Sequence, residues 1–414
     1  MALSAMLQGW RTLSPVARLL VANGLAFNLG FYMMMPYLAQ HIGGTLGLAG
    51  WAAGLVMGLR VFSQQGLFLL GGTLGDRIGY RPAIVWGCLV RSVGFGLLGW
   101  ASSLPVLLLA AFLTGFAGAL FTPCAQAYLA SECRTDTQRQ YAFSLHNLAS
   151  EAGMLLGPLV GMVLTEVDYR VTGAVSGSVF LLLTLLQWHM LPASVVVPQA
   201  QAMGKQWRSM LRHRAFMAFT LLAAAYQVLF HQLYLAIPAY IRSVQHDTGL
   251  LGSVFTLTAV VGVTLQLPAT RLVQRHLGVA VAMGGGLALM GLSYLALPLL
   301  SHVPVVAVLL QACLLSLGSI LCFPLFAAHI PRFADPSSLG SYYGLYASVG
   351  GCVALLGNVV VGALLGSGVA SPPSLIWYAL ALVGLACGWG IYRQVTGSTH
   401  HKLAETGTAT SGSR

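Results

Sequence analysis

The sequence predicts an all-α integral membrane protein with twelve transmembrane helices in two pseudo-symmetric six-helix bundles. Three observations predict it. First, 57% of the 414 residues are hydrophobic and only 7% are charged, where a soluble domain carries about 25% charged residues. Such a chain cannot cover a water-facing surface. Second, the apolar residues gather into twelve stretches, each close to the roughly 20 residues that cross a bilayer as a helix. Third, the basic residues fall almost entirely on one side of those stretches.

In chain order the spans are 17–39, 51–73, 82–101, 105–128, 142–166, 171–191, 215–240, 250–272, 279–300, 303–327, 342–366 and 373–394. Each must be helical within lipid, because an unpaired backbone group there costs several kcal/mol. The N-terminal stretch MALSAMLQGWRTLSPVARLL has basic residues but no small-residue cleavage site, so an uncleaved first helix is expected. The seven cysteines (Cys88, Cys124, Cys133, Cys313, Cys322, Cys352, Cys387) fall mostly in apolar segments and form no CxxC pair. They read as small core residues, neither a disulfide frame nor a metal site.

The net charge of +11 has a topological origin. With the N-terminus in the cytoplasm and sides alternating, the cytoplasmic segments hold Arg11, Arg18, Arg77, Arg81, Arg134, Arg139, Lys205, Arg208, Arg212, Arg214, Arg271, Arg275, Arg332, Arg393, Lys402 and Arg414. The opposite side holds Arg170 and Arg242. This is the positive-inside pattern. It places both termini in the cytoplasm and implies no nucleic-acid partner. The run KQWRSMLRHR (205–214) reads as a basic linker, or as a surface for anionic lipid headgroups.

Residues 192–214, opened by Pro192 and Pro198, divide the chain. The expected organisation is an N-terminal bundle 1–191, the linker 192–214, a C-terminal bundle 215–394 and a disordered tail 395–414. The halves match at an offset of roughly 200 residues. LLGPLVG (155–161) pairs with LLGNVVVG (355–362), LFTP (120–123) with LCFP (321–324), and Pro36 with Pro238. Duplicated halves with interrupted helices are a transporter pattern, with the ligand site near the midplane.

Between the second and third spans runs GGTLGDRIGYRPAIV (71–85). Gly72, Leu74, Asp76, Arg77, Gly79 and Arg81 resemble the signature loop of the major facilitator superfamily, G-x-L-a-D-r-x-G-r-k. Tyr80 replaces the usual basic residue. The resemblance implies the two-bundle fold and a cytoplasmic latch. The alternative reading of the same residues is a solvated turn. In the fifth span, GMLLGPLVG places Gly153, Gly157, Pro158 and Gly161 in a pattern resembling the antiporter motif of the drug:proton branch, with Met162 replacing its last glycine. That resemblance implies export; generic small-residue helix packing is the alternative. LGFYMMMP (29–36) resembles the first-span motif of the branch, with Ala39 where a further proline is usual. In the fourth span Ala111 and Thr114 stand where the branch has arginine and glutamine, so that motif is degraded. GLRVFSQQGL (58–67) and LVRSVGFGLLG (89–99) further resemble one group of multidrug-resistance exporters.

Three ionisable residues lie near span centres: Arg60, Arg91 and Glu151. A charge there usually faces a partner or a wet cavity. Their similar depth suggests pairing. Glu151 reads either as a proton-coupling carboxylate or as a static partner of Arg91 or Arg60. Gln64 can share the helix face of Arg60. Asn28, Tyr32, Gln126, Gln227 and His231 are candidate substrate-cavity residues, or else interhelical hydrogen-bonding groups. Met33, Met34 and Met35 read as packing.

GFGLLG (94–99) lies inside a span with no preceding strand and so does not read as a nucleotide loop. The sequence has no Walker loop, HExxH or GxSxG. No enzyme, cofactor or metal is expected. The expected function is secondary transport by a monomer in the cytoplasmic (inner) membrane. Proton-coupled efflux of a drug-like or toxic small molecule is the first reading. Siderophore or metabolite export and nutrient uptake by symport are the alternatives.

Overall fold

The computed structural model describes residues 10, 12–46, 50–192, 203–244, 249–364 and 375–411. Arg11, Pro198, Asp247 and Arg414 lie outside the described residues. The described chain is helical throughout, without strands. The spanning helices are α1 (Pro15–Leu38), α2 (Gly50–Ile78), α3 (Tyr80–Trp100), α4 (Leu104–Ser131), α5 (Asp136–Val167) and α6 (Tyr169–Met190). After the linker helix (Met203–Arg212) come α7 (Arg214–Pro238), α8 (Gly249–Leu272), α9 (Val279–Leu299), α10 (Pro304–His329), α11 (Leu339–Leu364) and α12 (Leu375–Ser411). Eleven of these are long and apolar enough to cross a membrane. The twelfth is α2, 29 residues long, about 43 Å at 1.5 Å per residue. It is less apolar because it carries Arg60, Gln64, Gln65, Asp76 and Arg77.

Local chemistry sets the helix ends. Ser14 caps α1, its hydroxyl accepting from the Ala17 N–H, and Pro15 takes the first-turn position where no donor is needed. Thr135 caps α5 through the Gln138 N–H, and Asp168 caps α6 through the Arg170 N–H. Within α1 the regular helix breaks at Met33–Met34. Pro36 lacks the N–H that would bond back into the preceding turn. Met33, Met34 and Met35 are all buried and pack.

Two differences from the sequence expectation matter. The residues left between the second and third spans, 74–81, are helical except at one position. Helix α2 runs to Ile78 and α3 starts at Tyr80, so only Gly79 separates them. Gly79 has φ of 94° and ψ of 150°, a region nearly confined to glycine that costs residues with a Cβ about 1–3 kcal/mol. At the other end of the chain, α12 continues to Ser411, through residues expected as a disordered tail.

The chain divides into two compact units. The first comprises Met1–Ser209 with Ala327–Gly351. Within it α1 packs on α5, α2 on α4, and α3 on both α4 and α6. The start of α11 belongs here because Gly340 and Gly344 lie directly on the backbone of α2 at Gly72 and Phe68. The second unit comprises Met210–Phe326 with Cys352–Arg414. Within it α9 packs on α12.

The internal contacts of the two units repeat. In the first, α3 and α6 cross where Gly99 meets Gly173; in the second, α9 and α12 cross where Gly291 meets Gly384. Gly87 lies against α4 at Phe121, as Gly286 lies against α10 at Gly318. Gly157 rests on Tyr32 of α1, as Gly357 rests on Val228 of α7. Pro123 and Pro324, matched in sequence, both lie inside helices.

Candidate functional site

The first constellation is built on the α2–α3 junction. Asp76 sits in the last turn of α2, fully buried. Its Oδ1 accepts from the Gly340 N–H at 2.8 Å and from the Tyr80 hydroxyl at 2.8 Å. Its Oδ2 accepts from the Ser341 N–H at 2.7 Å and from the Ser341 hydroxyl. Gly340 and Ser341 open α11, so the carboxylate caps that helix from outside and meets the positive end of its dipole. The approach requires glycine on both sides: a Cβ on Gly340 would stand 2.7 Å from the Gly72 carbonyl oxygen, and one on Gly72 would strike the Gly340 carbonyl.

Two residues of the linker helix complete the arrangement. The Gln206 side chain donates to the Ser341 hydroxyl at 3.0 Å, and the Trp207 indole donates to the Thr73 hydroxyl at 2.9 Å. Nearby, Arg332 and Arg139 both pair with Asp136, at 2.7 and 2.9 Å. Asp136 lies in the first turn of α5, outside the apolar span that begins at residue 142. Its slight burial raises the carboxyl pKa, but the Arg332 hydrogen bond and the two arginine charges hold it below its usual value.

The other signature residues have different roles. Arg81 donates to the Trp188 carbonyl at 2.6 Å and lies 5.7 Å from the Trp188 ring, so it ties α3 to the end of α6. Arg77 is half-buried and Leu74 is exposed. Tyr80, which stands where the signature has a basic residue, contributes its hydroxyl to the Asp76 cage. Thr73, Gln206, Trp207 and Ser341 are not singled out by the sequence. No local pattern marks them, because their partners lie far along the chain.

The second constellation is the α1–α5 seam. A Cβ on Gly153 would stand 2.9 Å from Asn28 Cβ, one on Gly157 2.6 Å from Tyr32 Cβ, and one on Gly161 2.7 Å from the Met33 carbonyl carbon. The Pro158 carbonyl accepts from the Tyr37 hydroxyl at 2.7 Å. The glycine pattern is therefore a continuous track for α1.

The third constellation holds the charges within the spans. Arg60 Nη2 donates to Gln64 Oε1 at 2.8 Å, and its guanidinium carbon lies 4.2 Å from the centre of the Phe31 ring. Arg91 is buried, with its guanidinium carbon 4.4 Å from Phe27, 5.0 Å from Phe180 and 5.6 Å from Phe95. Gln64 lies against Gly118 of α4. Glu151 is half-buried on α5. The pairing expected between Glu151 and an arginine is not formed: among the described residues, the ion pairs are those of Asp136. Aromatic faces hold the guanidiniums instead. Tyr32 packs edge-on against Phe31, the ring under Arg60, and against Gly157 of α5, the helix that carries Glu151.

Asn28 and Gln126 are half-buried in the same unit, Asn28 donating to the Gly24 carbonyl at 2.9 Å. Gln227 and His231 are half-buried, one turn apart on α7 in the second unit. Sequence reasoning also passed over His146 in α5, whose Nδ1 lies 3.3 Å from the Leu20 carbonyl. A histidine inside an apolar span was the available signal.

The sequence model of the Major Facilitator Superfamily matches residues 20–358. The chain belongs to that superfamily and is a multi-pass membrane transporter. It is 37% identical over 396 residues to an uncharacterized MFS-type transporter of Mycobacterium tuberculosis, covering 93% of this chain and 94% of the relative. It is 30% identical over 378 residues to the multidrug resistance protein MdtH of Salmonella typhimurium, covering 89% and 92%. In fold it is similar to the crystal structure of the human organic anion transporter MFSD10 (TETRAN), with a TM-score of 0.74 at 16% identity, covering 92% of this chain and 99% of that one. It is also similar to an auto-inhibited POT family peptide transporter, with a TM-score of 0.62 at 15% identity and coverage of 92% and 97%. At these identities the two structures speak for the fold alone.

Proposed function

We propose that the protein is a secondary active exporter that exchanges protons for a drug-like or toxic small molecule by alternating access. It works as a monomer in the cytoplasmic (inner) membrane with both termini in the cytoplasm. One observation carries the reading: Glu151 lies half-buried in a spanning helix, beside the glycine track and without an ion pair among the described residues. A carboxylate in that position can change protonation without first breaking a salt bridge. The likeness to MdtH supports a drug-like cargo. The arginine distribution supports assigning the Asp76–Ser341 latch to the cytoplasmic side. Proton entry supplies about 2.3 kcal/mol per charge per 100 mV from the potential alone.

A second reading, export of an anionic or zwitterionic metabolite such as a siderophore, is favoured by Arg60 and Arg91, which stand in the spans without an acidic partner among the described residues. Everted vesicles test the mechanism. After energisation, adding candidate cargo to an antiporter discharges the luminal proton store. A symporter moves protons together with its substrate, and a protein without turnover leaves the gradient unchanged. Either of the last two results refutes proton-coupled export.

A further inference from the structure

The two arginines of the first unit are placed alike. Each guanidinium carbon lies over aromatic rings: Arg60 on Phe31, Arg91 chiefly on Phe27 and Phe180. A ring attracts the cation but offers its N–H groups no oxygen or nitrogen acceptor. Arg91 forms no hydrogen bond or ion pair among the described residues, and its Nε is buried without a partner. Arg60 spends Nη2 on Gln64, and its Nε is likewise buried and unpartnered. The two sites adjoin through their rings: Phe31, under Arg60, meets Phe95 edge to face at 6.3 Å, and Arg91 lies 5.6 Å from Phe95.

Like charges in a dry interior repel, and each unsatisfied buried donor adds a desolvation cost. Cation–π contacts offset part of that cost. The neutral amide of Gln64 adds no negative charge. What the arrangement lacks is an anion with planar or tetrahedral acceptors.

We propose that Arg60 and Arg91 form an anion-binding subsite within the first unit, taking a carboxylate or sulfonate of the cargo while the neighbouring rings take its aromatic body. The cargo is thus an amphipathic aromatic anion. The inference rests on the transporter reading and names the substrate class of that site. The in-plane donors suit a carboxylate fork, and the rings reject a small, fully hydrated anion.

Equilibrium binding to the full chain in nanodiscs tests this, with no proton gradient present. The probes are naphthoate, naphthalene sulfonate, naphthamide and a naphthylmethyl trimethylammonium, one ring system with different charge. The expected result is binding of both anions at least about tenfold tighter than the amide or the cation. Arg60→Gln is expected to remove most of that preference, read as the ratio of naphthoate to naphthamide affinity, and Arg60→Lys to restore part of it. Arg91→Gln is expected to do the same where it assembles; because Arg91 is buried, Arg60→Gln decides where it does not. Equal affinity for the anions and the amide overturns the proposal, as does a full anion preference in folded Arg60→Gln. Failure of proton coupling in vesicles leaves this result standing, so the two readings fail separately.

Discussion

At the scale of single residues, Asp76 and Gly79 carry different loads. Asp76 gathers four donors from α3 and the start of α11. Asp76→Ala leaves them unpaired, at a cost of about 2–4 kcal/mol. Amide exchange at Gly340 and Ser341 is expected to lose its protection while exchange at the α3–α6 crossing stays slow. Gly79→Ala forces a Cβ into a positive-φ, extended conformation nearly confined to glycine and is expected to cost about 1–3 kcal/mol, read as a lowered Tm in detergent. The Asp136–Arg332 pair is half-exposed and is worth at most about 1 kcal/mol. Because the arginines lower the Asp136 carboxyl pKa, its contribution is present above the ordinary carboxylate value. It is lost as pH falls through the lowered one. A double-mutant cycle of Asp136→Asn and Arg332→Gln across that acid range is expected to show the coupling vanish. Asp76 and Glu151 stood out in the sequence because a charge in an apolar chain is conspicuous. Ser341 and Trp207 did not, because a serine or tryptophan there is ordinary until its partner is known.

At the scale of elements, apolarity located the spans and misjudged some ends. The span read as 142–166 is a helix from Asp136 to Val167, since DTQRQY is polar yet helical beyond the lipid. The breaks in α1 were foreshadowed by Pro36, whereas the pairing of helices was not: α3 meets α6 through Gly99 and Gly173, which are 74 positions apart. The glycines divide sharply by surroundings. Gly157→Leu and Gly161→Leu push α5 off α1 and are expected to cost about 1–3 kcal/mol. Gly285 of α9 has open space around it. Gly285→Ala is expected to be neutral, or to stabilise the helix by up to about 1 kcal/mol. Thermal unfolding of the three variants in one detergent checks the contrast, and equal losses at all three sites contradict the packing argument.

At the scale of the whole molecule, a duplicated helix plan supplies the frame and a few charges supply the chemistry. The repeat was legible as matched prolines and glycines. The position of the arginines on aromatic faces was not, since helical periodicity cannot tell which ring from another helix will cover a guanidinium. Glu151 is the group proposed to carry the proton. Purified protein in liposomes, with a cargo first identified in the vesicle assay, tests this most directly. Cargo-driven proton movement and cargo counterflow are measured for the wild type and Glu151→Gln. Loss of proton movement with counterflow retained is the predicted result. Proton movement that persists in Glu151→Gln contradicts it.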